Sequence, residues 1–115
     1  MSVIQYETPQ GVYAGHFDYD PEADRFHGEV LNTRAVLTFQ GRSIDELKTA
    51  LKDTIDDYLA WCQERGKEPD KPFSGKFVVR VDPELHREAV VAASRAGKSL
   101  NAFVKDVITE AVMAH

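Results

Sequence analysis

Three alternate residues, Lys76, Val78 and Arg80, combine side-chain types and a spacing that suit contact with the edges of DNA bases. Val78 and Arg80 belong to, and Lys76 directly precedes, a short aromatic and β-branched run, residues 77–81, whose composition predicts a strand. Side chains alternate along a strand, so these three share one face. An arginine fork can bind guanine bidentately, whereas a valine is limited to apolar contact such as a thymine methyl. Arg80 is therefore the strongest candidate for reading a base.

The predicted strand has no ladder partner within its own part of the chain. Its backbone groups need hydrogen-bond partners and its apolar side chains need cover. The same strand from a second chain can supply both, antiparallel about a two-fold axis. The side chains of Phe77, Val79 and Val81 would then enter a core shared by four helices, two from each chain. The outward face of such a two-stranded ribbon fits the major groove.

Two helices are predicted after the strand. Asp82 is placed as the N-cap of the first, with Pro83 at its first position, and Gly97 ends it. Its apolar face is narrow and consists of Leu85, Ala89, Ala92 or Ala93, and Ala96. Ser99 caps the second helix, whose broad apolar face consists of Leu100, Phe103, Val104, Val107, Ile108 and Ala111.

The order of these features resembles the ribbon-helix-helix regulators of the Arc and MetJ type. The resemblance rests on the run from Lys76 to Leu85 and on the turn Ala96-Gly97-Lys98-Ser99-Leu100-Asn101, and it covers about forty residues. It implies that Lys76, Val78 and Arg80 occupy base-reading positions. It also implies that the helix start at Lys98 and Ser99 anchors a phosphate through backbone N–H groups. The alternative is a purely structural dimer, with Lys76 and Arg80 solvated and Ser99 an ordinary cap.

Charge divides the chain at Gly66. Residues 1–66 carry six Lys or Arg and twelve Asp or Glu, a net charge of −6, whereas residues 67–115 carry eight and seven, a net charge of +1. The overall charge of −5 therefore reflects the first half and is no objection to DNA binding by the second.

The first half is predicted to be a small β-β-β-α domain of an α+β protein. Residues 11–41 show three alternating segments separated by turns, a pattern typical of an antiparallel meander. A helix of about six turns follows, capped by Ser43 and Glu46 and ended by Gly66. Its apolar stripe includes Cys62, which is read as a buried core thiol. Residues 67–75, with two prolines and several charges, are predicted to be a linker. The predicted domains are residues 1–66 and 76–115.

Nearly the whole chain resembles the HicB family of antitoxins. The residues that recur in family-like order are Tyr13, Phe17, Tyr19, Phe26-His27-Gly28, Phe39-Gln40-Gly41-Arg42-Ser43, Glu46-Leu47, Asp56-Asp57-Tyr58-Leu59, Cys62, Gly66, Pro69, Lys71-Pro72-Phe73-Ser74-Gly75-Lys76-Phe77 and Pro83-Glu84-Leu85-His86. The resemblance implies a partial RNase H-like first domain that masks a small ribonuclease toxin, HicA. It also implies that the complex represses its own operon.

An RNA-cleaving partner needs a basic surface, to which an acidic domain is attracted. The acidic residues that could face it lie on the first hairpin and on the long helix: Asp18, Asp20, Glu22, Asp24, Asp53, Asp56 and Asp57. Each one alone is also explained as part of a solvated polar face, so only the summed charge carries the argument.

Other classes of function are less well supported. A metal-dependent nuclease needs carboxylates converging from separate elements, and residues 1–66 are too few to build that site. The four histidines show no metal-ligand spacing, so no metal, cofactor or catalysis is expected. No signal peptide or membrane span is evident, and the single cysteine fits a reducing compartment, so a cytoplasmic protein is expected. Two alternatives remain: a stand-alone regulator with a ligand-sensing first domain, and a degenerate nuclease domain that uses the ribbon only to dimerise.

Overall fold

The computed structural model describes residues 2–114 and is of the α+β class. Four strands precede three helices: β1 Ser2–Thr8, β2 Gly11–Asp20, β3 Arg25–Val30, β4 Thr38–Gly41, α1 Ile44–Glu64, α2 Pro83–Arg95 and α3 Leu100–Met113. The chain divides into two compact units, Met1–Lys76 and Phe77–His115. Each unit is described separately below.

The first unit is built on one antiparallel sheet of order β1-β2-β3-β4. The register places Phe17 opposite Gly28 between β2 and β3, and Gly28 opposite Phe39 between β3 and β4. The β2–β3 turn is held by Asp20, whose Oδ1 accepts from the N–H of Glu22 at 3.0 Å. Asp24 completes this turn in the left-handed region, at φ 51°. Aspartate tolerates that conformation because its side chain can bond locally.

The predicted three-stranded meander is corrected to four strands. Residues 2–8, which were not assigned to any element from the sequence, form β1 and pair along their whole length with β2. Ile4 and Tyr6 are half-buried and pack against the core, while their neighbours Val3 and Gln5 are exposed. This alternation is the period of two expected for a strand with one covered face.

Helix α1 covers one face of this sheet and supplies much of the core. Leu47, Leu51 and Ile55 are fully buried, at spacings of four, against Tyr13 and Phe17 of β2. The predicted N-terminus is confirmed, since Ser43 Oγ accepts from the Glu46 N–H at 3.1 Å. The Glu46 carboxylate reaches back to the N–H of Arg42 rather than to that of Ser43, at 2.6 Å. Two donors near the helix start are therefore satisfied by side chains.

The ring of Phe39 lies over two glycines on neighbouring strands. A Cβ atom at Gly15 or at Gly28 would come within 2.5 Å of that ring. Only hydrogen at these two positions lets Phe39 lie this close to the sheet and be 3% exposed. The two glycines thus leave the space in which the Phe39 ring packs against the sheet. A methyl group added at either glycine would displace that ring.

Helix α1 ends in a Schellman motif at Gly66, as predicted from that glycine. Gly66 has φ 64°, and the N–H of Lys67 donates to the Cys62 carbonyl at 2.9 Å. Cys62 itself is 2% exposed, which confirms the predicted core thiol. After the turn, residues 67–76 remain part of the first unit, although residues 67–75 were predicted to be a linker.

The second unit contains α2 and α3, and both predicted N-caps are confirmed. Asp82 Oδ1 accepts from the Leu85 N–H at 2.9 Å, and Ser99 Oγ accepts from the Ala102 N–H at 3.1 Å. Helix α2 ends in a second Schellman motif, in which Gly97 has φ 70° and Lys98 N–H donates to the Ala93 carbonyl at 2.9 Å. Glycine adopts this conformation without the Cβ penalty that other residues incur.

Candidate functional site

The segment before α2 is extended and uncovered. Residues 77–81, which the sequence predicts to be a strand, belong to no strand of the single chain. The reason is physical, because a strand is defined by a hydrogen-bonded ladder and the part of the chain described here offers this segment no second strand. All their side chains are exposed in the single chain, with Phe77, Val79 and Val81 at 71%, 62% and 47% and Val78 at 89%, so the alternation of two faces stays a prediction.

The three candidate base-reading residues are all exposed. Lys76 lies in a local turn, where its N–H donates to Ser74 Oγ at 3.2 Å. Val78 and Arg80 follow with side chains open to solvent. The structure therefore keeps Lys76, Val78 and Arg80 available to a large ligand.

The start of α3 differs from the sequence expectation in one respect. The Ser99 hydroxyl acts as the cap, leaving the first backbone N–H groups of α3 free of intrahelical partners. The Lys98 ammonium, however, forms an ion pair with Asp106, two turns along α3. The cation is thus directed along the side of the helix and away from its amino end. No sequence rule links residues eight apart, so Asp106 was missed.

Both helices of the second unit expose apolar side chains. Ala93 is the only buried residue of α2, and none of α3 is buried among the residues described. The large apolar side chains that are at least one-third exposed are Leu85, Val90, Val91, Val104, Val107, Ile108, Val112 and Met113. Together with Phe77, Val79 and Val81 they exceed the scatter of single exposed apolar residues that is normal for a soluble monomer. This unit lacks the covering layer that a stable core requires.

The acidic candidates of the first unit do not form one patch. Asp18 lies on the sheet face opposite α1, since its neighbour Phe17 packs against that helix. Asp53 borders a groove beside Gln40 of β4, whereas Asp56 faces β1 through Tyr6. Asp57 and Glu22 are exposed. The structure therefore distributes these carboxylates over several surfaces of the unit.

Several of these carboxylates are already engaged within the unit. Asp20 holds the β2–β3 turn, and Asp24 accepts from the Tyr19 hydroxyl at 2.6 Å. Asp56 accepts from the Tyr6 hydroxyl at 2.8 Å and from the Lys52 ammonium at 2.7 Å. These two hydrogen bonds, the one from Lys52 first, lower the pKa of Asp56. Asp18, Glu22, Asp53 and Asp57 are the carboxylates left most open to a partner.

Residues 70 and 72 form a contact set that sequence reasoning did not detect. Asp70 bonds to Tyr13, Tyr58 and the backbone of residues 34 and 35, and Pro72 is buried. Burial is the main cause that raises the pKa of Tyr58 to about 12. Both tyrosines were visible in the sequence, but nothing there connects their hydroxyls to the backbone of a residue 57 or 12 positions away.

The described residues contain no group of three or more His, Cys, Asp or Glu side chains arranged to hold a metal ion. Within residues 2–114, no helix combines the length and the apolar character needed to cross a membrane. The features that stand out are thus an exposed segment before α2, exposed apolar side chains on α2 and α3, and an acidic sheet-and-helix unit. They define an α+β protein of two compact units.

The family comparison agrees with this organisation. Residues 58–108 match the model of the HicB family, from the last part of α1 through most of α3. Over these residues the chain is similar to HicB family proteins. No curated protein and no solved structure matches the chain significantly.

Proposed function

We propose that this protein is the antitoxin of a type II toxin–antitoxin pair, which neutralises a HicA-type ribonuclease and represses its own operon. The similarity to the HicB family model carries the proposal, since the matched residues include the exposed segment, helix α2 and most of helix α3.

The second unit is proposed to be a ribbon-helix-helix module that pairs with a second copy of itself. Pairing of residues 77–81 about a two-fold axis gives their backbone groups the ladder that one chain lacks. It also brings Phe77, Val79 and Val81 together with the exposed apolar faces of α2 and α3. Covering this apolar area stabilises the pair by about 25 cal/mol for each Å² removed from water.

The paired ribbon is proposed to enter the major groove of operator DNA. Lys76, Val78 and Arg80 lie on its outward face, and the free N–H groups at Ser99 would hold a phosphate. Lys98 joins that contact only when its ammonium leaves Asp106. Base reading is assigned chiefly to Arg80, for the bidentate geometry of its guanidinium.

The first unit is proposed to be a partial RNase H-like domain that masks the toxin. Its net charge of −6 would attract a basic ribonuclease, and the carboxylates without internal partners would remain available for direct contact. On this proposal Asp18, Glu22, Asp53 and Asp57 contribute more to toxin binding than Asp20, Asp24 and Asp56.

Co-expression tests the proposal directly. The proposal predicts a short basic reading frame adjacent to this one, and that frame is induced in cells alone, with this protein, and with its Arg80→Ala variant. We expect growth arrest alone and rescue by both proteins, with repression of a promoter reporter by the unaltered protein only. A neighbour that is harmless, or one that stays toxic beside folded protein, would remove the antitoxin role. Rescue without any repression would instead remove the operator role.

A further inference from the structure

The segment after α1 packs against the first unit, and most of its hydrogen bonds to that unit are made by Asp70. We define the strap as residues 67–72. Asp70 is bonded on three sides: its N–H donates to Tyr58 Oη at 2.8 Å, its carbonyl accepts from Tyr13 Oη at 2.7 Å, and its Oδ2 accepts from the Arg34 N–H at 2.9 Å. These partners lie on α1, on β2 and in the β3–β4 connection. Asp70 thus connects the strap to three parts of the unit by hydrogen bonds.

The strap in turn provides a hydrogen-bond partner for the hydroxyl of each tyrosine. Tyr13 is fully buried, so its hydroxyl needs an acceptor within the protein, and the Asp70 carbonyl provides it. Tyr58 is neutral at physiological pH, and burial is the main cause that raises its pKa further, to about 12, so its oxygen accepts from the Asp70 N–H while it still carries a proton. Removal of the strap would leave polar groups unsatisfied in an enclosed region.

A second contact holds the end of the strap. Pro72 is buried, and its carbonyl accepts from the Asn32 side-chain amide. The next residue, Phe73, is 58% exposed, and Gly75 adopts φ 88° in the open. The anchored part of the chain therefore ends at residue 72, and residues 73–76 are the stretch without such anchors.

We infer that Asp70 is a positioning residue that fixes where the tether to the second unit begins. With the strap docked, the tether is residues 73–76, which span about 14 Å when extended at ~3.4 Å per residue. With the strap released, residues 67–76 span about 34 Å. A short tether keeps joined modules at high effective concentration, and a longer one lowers it. The strap therefore limits the distance over which the two units can act, whatever each of them binds.

Amide hydrogen exchange and proteolysis of the full chain test this inference. In the unaltered protein we expect the amides of Arg34 and Asp70 to be protected and those of Ser74 and Gly75 to exchange freely. Proteinase K, with cleavage sites mapped by mass spectrometry, should cut within residues 73–76 and spare residues 67–72. Asp70→Ala removes the carboxylate bonds to residues 34 and 35 but keeps the backbone bonds to Tyr13 and Tyr58, so it should speed exchange at Arg34 by at least ten-fold and increase cleavage within residues 67–72. Adding Tyr58→Phe, which removes the bond to the Asp70 N–H, should increase that cleavage further, while Leu51 and Ile55 in the core remain protected.

Two further variants separate positioning from a general loss of stability. Glu68→Ala alters the same strap at an exposed carboxylate with no hydrogen bond among the described residues, and it should leave the pattern unchanged. Asp70→Asn keeps an oxygen that can accept from Arg34, so it should restore part of the protection. The inference is overturned by free exchange at Arg34 and Asp70 in the unaltered protein, or by equal cleavage of Glu68→Ala and Asp70→Ala. If Asp70→Ala does not fold, the unaltered and Asp70→Asn proteins still decide the question.

Discussion

Arg80 and Arg87 carry the same charge in the second unit but occupy different settings. Both are exposed, yet Arg80 belongs to the extended segment that precedes α2, whereas Arg87 lies within that helix. If the outward ribbon face reads bases, loss of Arg80 should remove sequence discrimination as well as charge. Loss of Arg87 should remove charge alone.

Arg80→Ala is therefore expected to weaken binding to DNA from the upstream promoter region by about 1–3 kcal/mol, the value of one bidentate base contact. Binding to unrelated DNA should change far less. Titration of labelled fragments at constant salt measures both affinities, with Arg87→Ala as the matched control. Equal losses for the two variants, or an unchanged ratio of specific to non-specific affinity, would contradict base reading by Arg80.

Tyr58 has a predictable effect at alkaline pH. Burial in the folded chain raises its pKa from the ordinary 10.0 to about 12. A group whose folded pKa is raised contributes stability that is complete below pH 10 and is lost as pH rises through about 12. The denaturant midpoint of the unaltered protein should therefore fall between pH 9 and 11.5. Tyr58→Phe, which has no proton to lose there, should start lower and fall less, whereas Tyr19→Phe at an exposed site should fall more nearly as the unaltered protein does.

The residue types that carry local signals were predictable from the sequence. Ser43, Asp82 and Ser99 cap helices because each has a short side-chain oxygen next to free N–H groups, and Gly66 and Gly97 end helices because each must adopt positive φ. The contacts of Asp70 and Asp106 were not predictable, because they join positions that no local period relates. The base-reading role of Lys76, Val78 and Arg80 stays a prediction.

The segments around the strands show what a sequence pattern can miss. The third predicted strand was placed at residues 35–40, but β4 begins at Thr38. The Thr33 hydroxyl donates to the Ala35 carbonyl at 2.8 Å, and Asp70 accepts from the Ala35 N–H at 3.4 Å. With both backbone groups bound to side chains, Ala35 cannot join the ladder. β1, in contrast, had an alternating pattern and could have been assigned from the sequence.

The ion pair between Lys98 and Asp106 predicts how α3 would approach a phosphate. Asp106 holds the cation and also adds negative charge near the proposed DNA surface. Asp106→Asn should therefore strengthen binding to promoter DNA by about two- to five-fold, in line with the ~0.5–1 kcal/mol of an exposed ion pair. It should also steepen the dependence of affinity on salt, since one more cation becomes available.

Glu110→Gln provides the control for this experiment, because it makes the same change of charge on an exposed site further along α3. A gain of the same size in both variants would show a general charge effect and would contradict a specific role for Asp106. In the double variant Lys98→Ala with Asp106→Asn, the gain of the single Asp106 variant should disappear.

At the scale of the whole molecule, substitutions at two adjacent valines can test the proposed pairing separately from the proposed DNA contact. Val79 faces the proposed shared core and Val78 the opposite side, with exposures of 62% and 89% in the single chain. Val79→Asp would bury a carboxylate at the interface, a position that strongly disfavours charge. Analytical ultracentrifugation should then find a species near the 12.9 kDa of one chain, whereas Val78→Asp should keep the mass of a pair. A pair that survives Val79→Asp would contradict pairing through this segment.

The uncovered apolar layer of the second unit has a consequence for how the protein responds to its own abundance. On the proposed pairing, the DNA-binding half is completed only when two chains meet, so its occupancy rises with roughly the square of a low chain concentration. At low protein concentration the operator would be unoccupied and new protein would be made. At high concentration operator occupancy would rise steeply and synthesis would stop. On this proposal no separate sensor is needed, because the fraction of paired chains itself depends on the concentration of the chain.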